Sequence, residues 1–115
     1  MDIDKAIRLF REQADIHGIA LDSGDYKKGN PAHDKVIRAL SEFRKQDDRG
    51  CAILTNLIKD ENPHIRGWAA TYLLPLDEDA AVQTLTLLQQ EPLMRGFGAE
   101  IVLQEWRAGR LQLVC

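Results

Sequence analysis

Apolar residues recur along this chain at intervals of three and four, and strand-like alternation is almost absent, so the pattern predicts helices throughout. Ile3, Ile7, Phe10, Ala14, His17 and Leu21 line one face of a first helix from about Asp4 to Leu21. Gly24 and the cluster Gly29-Asn30-Pro31 then break the stripe. Asn30 before Pro31 reads as a helix start, a side-chain acceptor followed by a ring already fixed at helical φ. The second helix carries Val36, Ile37, Leu40 and Phe43 and ends in the polar run Arg44 to Asp48. A third, capped by Asp47 or Asp48, points Ile53, Leu54, Leu57 and Ile58 inward and stops at Lys59-Asp60. Asn62-Pro63 repeats the starting device for a fourth helix with Ile65, Trp68, Ala69, Tyr72 and Leu73 on one face, which Pro75 closes. Asp77, with Glu78 and Asp79 in the first turn, favours the positive end of a fifth helix through Leu88. Pro92 opens a sixth, weakened near its start by Gly96 and Gly98, whose stripe of Val102, Leu103 and Trp106 runs to a cap at Gly109.

Inside that pattern one phrase is written twice. Pro63 to Ala70 reads PHIRGWAA, and Pro92 to Ala99, twenty-nine residues later, reads PLMRGFGA. Each copy opens the second helix of an antiparallel pair, which is the signature of a helical repeat: every pair leaves an apolar face that only a stacked neighbour covers. The expected architecture is therefore all-α, a short α-solenoid of three antiparallel helix pairs forming a single domain over residues 1–115. Residues 1–46 make an N-terminal capping pair, 47–75 and 76–109 the two repeats, and 110–115 a tail. Trp68 and Phe97 occupy equivalent positions and are expected in the core, as is Trp106.

The run from Leu57 through Asp60, Asn62-Pro63, Ile65-Arg66 and Trp68 to Ala69-Ala70 resembles the HEAT-like repeat of the type found in bilin lyases. In that repeat an aspartate precedes the turn and an Ile-Arg or Val-Arg begins the second helix ahead of an Ala-Ala pair. The wider chain is similar to a bacterial HEAT-like domain family of unknown function. That likeness runs through Gly24-Asp25 to Asn30, His33-Asp34, the central repeat, Ala99-Glu100 to Leu103, Glu105-Trp106-Arg107 and Gly109, covering most of residues 20–110. The second repeat departs from the pattern, with Glu91 out of register with Asp60 and Gly98 in place of an alanine. The resemblance implies a helical-repeat fold and a partner-binding role, and it carries across no catalytic residue. It also implies that Arg66 and Arg95 bond across the turn or to a neighbouring repeat, Arg66 through Asp60.

Composition narrows the function. At 44% hydrophobic and 29% charged residues the chain is an ordinary globular one, and no window approaches the roughly 20 apolar residues that span a bilayer. The acidic start Met1-Asp2-Ile3-Asp4 lacks the basic region of a secretory signal, so the cytoplasm is expected. Cys51, in a helix, reads as a small buried hydrophobe and Cys115 as an exposed tail thiol, with neither disulfide nor zinc spacing.

Net charge is −3, and residues 1–50 balance ten acids with ten bases while 51–115 carry eight against five. An acidic repeat half disfavours phosphate tracking. The basic groups Lys27-Lys28 and Arg38, Arg44, Lys45, Arg49 read as solvated helix faces. His17, His33 and His64 fall on or near separate helices, and His17 upstream of His33-Asp34 is all that a metal-dependent phosphohydrolase reading has. The repeated His-Glu pairs of helical-repeat di-iron enzymes, a phosphate loop, a nucleophile elbow and a Cys-His pairing are all missing from the sequence. No enzyme activity, cofactor or metal is therefore expected. The favoured function is a non-enzymatic protein-interaction module, for which the resemblance alone implies an immunity or inhibitor role, with nucleic-acid binding as the alternative and a metal-dependent phosphohydrolase as the remote one. Its groove would present Tyr72, His64, Glu100 and Gln104 to a basic protein partner.

Overall fold

The computed structural model describes residues 1–113. The thiol of Cys115 and the end of the tail lie outside the described residues, which form six helices and no strand. These are α1 (Ile3–Ser23), α2 (Tyr26–Arg44), α3 (Asp48–Leu57), α4 (Pro63–Leu73), α5 (Glu78–Leu88) and α6 (Leu93–Arg107).

The largest difference from the expected boundaries is the start of α2. Gly24, at φ 73°, ends α1 with its N–H on the Ala20 and Leu21 carbonyls, and Asp25 at once accepts the Lys28 N–H at 3.3 Å. A two-residue turn thus does what was assigned to Asn30. Pro31 lies inside α2, exposed on its solvent side. The fold-back sets Phe10 of α1 on Phe43 of α2, ring centroids 5.5 Å apart, and His17 near His33, so the pair is antiparallel.

The other starts follow local chemistry. Asn62 accepts the His64 N–H at 2.9 Å ahead of Pro63, and Asp77 accepts the Ala80 N–H at 3.3 Å. Asp47 precedes α3 at φ 53° without a side-chain cap bond. Pro92 offers α6 no side chain for capping, and a distant residue supplies the acceptor: Asp22 of α1 takes the Met94 N–H at 3.0 Å. Gly96, expected only to weaken α6, has a steric role, because a Cβ there would run into the Glu91 carbonyl.

α4 is the hub. It touches α1, α3, α5 and α6, and α1 in turn lies against both α4 and α6. Phe10, Val36, Phe43, Leu73, Leu74, Leu85, Leu88 and Leu103 fill the shared core. Leu21, placed on the inner stripe from sequence, is 41% exposed, because it borders an open cleft between α1 and its neighbours. Trp106 packs on the core and its Nε1–H donates to Glu78 at 2.8 Å. Phe97 contradicts the expectation of a core ring: it is 53% exposed, since α6 has no helix over the face that carries it. No helix is long and apolar enough to cross a membrane among the described residues.

Candidate functional site

α1 is a polar ruler as well as an apolar one. Asp15 and Asp22 are seven residues apart, two helical turns and about 10.5 Å along the axis. That matches the spacing of two neighbouring helices, about 8–10 Å. Asp15 accepts from the side-chain amide of Asn62, the cap of α4, at 2.8 Å, and Asp22 serves the start of α6. One turn before Asp15, Arg11 pairs with Asp60 in the loop that leads to α4. Each copy of the phrase therefore begins against a carboxylate of α1, where negative charge is favoured by the helix dipole.

Arg66 and Arg95, equivalent in the phrase, bond differently. Arg66 Nη1 donates to the backbone carbonyls of Asp60 and Glu61, both at 2.8 Å, and ties the turn. The expected pairing with the Asp60 carboxylate is not formed, because that carboxylate is taken by Arg11 and by the Asn62 N–H at 2.9 Å. Arg95 instead reaches across to Asp22 and back to Glu91, each at 3.6 Å.

Where α1 crosses the two phrase helices, a cleft of about 370 Å³ opens. Its walls come from α1, α2, α4 and α6, with Leu85 of α5 at the base and residues 111–113 along one side. The surface is mainly apolar, as in most ligand clefts. Four rings shape it: His17 to Trp68 at 5.3 Å edge-on, His33 to Trp68 at 5.5 Å, His17 to His33 at 5.7 Å, and Trp68 stacked with Tyr72 at 6.1 Å.

The three histidines, far apart in sequence, thus converge on one cleft. Burial, followed by repulsion from His33 and His64, holds the His17 imidazole below the usual value. His64 is lowered as well, chiefly by burial, with Arg95 adding to the effect and Asp22 and Asp15 opposing it. Neutral imidazole is thus the favoured form of His17 and His64 near pH 7. No group of three or more His, Cys, Asp or Glu among the described residues is placed to hold a metal ion. His64 lies tight on α1, where Gly18 makes room: a Cβ at that position would overlap the imidazole ring.

Of the residues expected to meet a partner, His64 and Tyr72 line the cleft. Glu100 and Gln104 stand exposed on α6 outside its walls. Trp68 and Arg95, read from sequence as structural, also face the cleft. His17, Gly18, His33 and Met94 were missed as cleft residues, and only the His-Gly step inside the long α1 stripe hinted at a close crossing.

No protein-family model, curated protein or solved structure matches this chain.

Proposed function

We propose that the protein is a non-enzymatic interaction module, a short HEAT-like solenoid of three antiparallel helix pairs acting in the cytoplasm. Its cleft holds an extended, leucine-bearing segment of a partner protein. One observation carries this reading: residues 111–113, Leu-Gln-Leu, follow α6 without helical structure and already run along the cleft wall, with Leu111 packed on the core. Extended chain with branched apolar side chains already forms part of the cleft wall, and Trp68 and Tyr72 supply rigid contact area of the kind that anchors interfaces. The acidic balance of residues 51–115 favours a partner with basic flanks, met on the surrounding surface. A nucleic-acid reading has less support, since Arg95, the arginine of the lining, is shared by Asp22 and Glu91.

The test uses a Trp106→Phe background, which leaves Trp68 as the sole tryptophan. With Leu111→Ser and Leu113→Ser weakening the chain's own segment, an acetylated, amidated peptide Gly-Arg-Leu-Gln-Leu shifts Trp68 emission and saturates. With the tail leucines intact the same peptide binds more weakly, as competition requires. Emission that stays flat in both proteins contradicts the reading.

A further inference from the structure

The cleft gathers a titratable cluster to which segment binding alone gives no role. His17 comes from α1, His33 from α2 and His64 from α4, and all three line the same space as residues 111–113. The His17 and His33 ring centroids lie 5.7 Å apart, and both rings stand against Trp68. His64 is pressed onto Gly18, the residue after His17. Imidazole is the side chain that ordinarily changes charge at about pH 6.5, and here three of them share a mainly apolar wall. We propose that the cluster is a proton-operated release, resting on the cleft reading above: the cleft holds a leucine-bearing segment while the imidazoles are neutral and lets it go as they take up protons.

The charges around the cluster leave little to neutralise it. On α1, Asp15 holds the Asn62 amide at 2.8 Å, and Asp22 holds the Met94 N–H at 3.0 Å and Arg95 at 3.6 Å. These two carboxylates favour a charged His64, and Arg95 of α6, shared with Glu91, opposes them. On α2, Asp34 lies 3.6 Å from His33 but is exposed, so water screens that pair. α5 contributes Leu85 to the cleft, and residues 111–113 are uncharged. His17, at the centre, faces the other two imidazoles, so a proton on His33 or His64 makes His17 harder to charge. Each charge that does form needs water around it, and a leucine-bearing segment lying over the rings takes that water away. Segment and protons therefore compete for the cleft, and what binds the neutral form is released by mass action as pH falls. Burial already holds His17 and His64 below the ordinary histidine value, the direction that this competition requires.

The chain's own tail tests this without a partner. In the full chain with labelled leucine methyl groups, NMR follows Leu111 and Leu113 together with the imidazole C2–H signals from about pH 7.5 to about pH 5.0, and far-UV circular dichroism follows the helices. The Leu113 methyl shifts should move toward free-chain values along the His17 titration, while Leu54 and Leu57 of α3 stay in place and the helical signal is kept. In the Trp106→Phe, Leu111→Ser, Leu113→Ser chain, the acetylated, amidated Gly-Arg-Leu-Gln-Leu peptide has no group that titrates in this range. Its dissociation constant should rise at least about three-fold from pH 7.5 to pH 5.0, and His17→Phe should shrink that ratio. His33→Gln should shrink it too and serves if the first variant folds poorly. Tail methyls that stay in place while the histidines titrate, tail and helices lost in one transition, or a ratio indifferent to both histidine variants would overturn the proposal. A peptide that fails to bind at pH 7.5 while the tail still leaves with the His17 titration would remove the partner reading and support the release.

Discussion

Two copies of one eight-residue phrase, placed at the starts of α4 and α6, have taken different roles. In the first copy the cap and the turn clamp are local: Asn62 caps, Pro63 opens the helix, and Arg66 clamps the preceding turn through its carbonyls, with Asp15 of α1 holding the Asn62 amide. In the second, Pro92 lacks a capping side chain, and the acceptor comes from Asp22, seventy-two residues away. The first helix is enclosed by neighbours, and the second keeps an open face. The difference teaches that a repeated sequence restarts a helix at both places although the chain enters them differently, Pro63 inside α4 and Pro92 ahead of α6 with Leu93 at φ 62°, while covering partners decide which side chains become core. α1 converts the repetition into a site, because it crosses both helix starts and roofs the space between them.

The comparison is most sharply broken at the paired aromatics. Trp68→Ala should destabilise the fold by about 3 kcal/mol, the lower end for loss of a packed aromatic. Phe97→Ala should change stability by no more than about 0.5 kcal/mol. Equal losses in chemical denaturation would show that the two rings share one environment after all.

The paired glycines come next. Gly96→Ala forces a methyl group into the Glu91 carbonyl, and overpacking of this kind costs about 1–3 kcal/mol. Gly67→Ala meets only Leu88 Cδ1 at 3.9 Å and gains helix propensity of up to about 1 kcal/mol. Opposite signs are expected, and thermal melts of the two variants decide it.

The helix starts differ in where their support lies. Asp22→Ala should cost about 1 kcal/mol by removing the cap of α6, within the usual range for capping residues. Arg66→Ala should cost about 1.5 kcal/mol through its two charge-assisted bonds. Because Arg66 meets the Asp60 carbonyl and not its carboxylate, Asp60→Ala and Arg66→Ala should be nearly additive, whereas Arg11→Ala and Asp60→Ala should couple.

A smaller effect involves acid. His17 and His64 bind protons less readily folded than unfolded, so the unfolded chain takes up protons first as pH falls below about 6.5. Their neutral forms carry full stability above that value, and the contribution declines as pH drops toward the lowered folded values. Denaturant titrations at pH 7.5 and about 5.5 should show the loss, and His17→Phe should reduce it.

Much of the fold was legible from periodicity. Six helices, the caps Asn62 and Asp77, and the buried faces of α2 and α3 follow from local pattern, which propensity and capping govern. The start of α2 was not legible, because an early Asp cap after a left-handed glycine competes with the Asn-Pro pair and wins through the tight turn it permits. For the site, His64 and Tyr72 were within reach since they sit on the repeat. His17 and His33 were not, because their meeting depends on the angle at which α1 crosses α4 and α6, and a single sequence does not encode a crossing angle in any short stretch.

The central claim is that the space under α1 binds an extended leucine-bearing segment. Backbone amide NMR of the Leu111→Ser, Leu113→Ser chain, titrated with the Gly-Arg-Leu-Gln-Leu peptide, tests it most directly. The account predicts saturable shifts concentrated at Gly18, Gly67, Thr71 and Val102, with α3 (Asp48–Leu57) unmoved. Shifts spread evenly over the surface, or centred on α3, would contradict it.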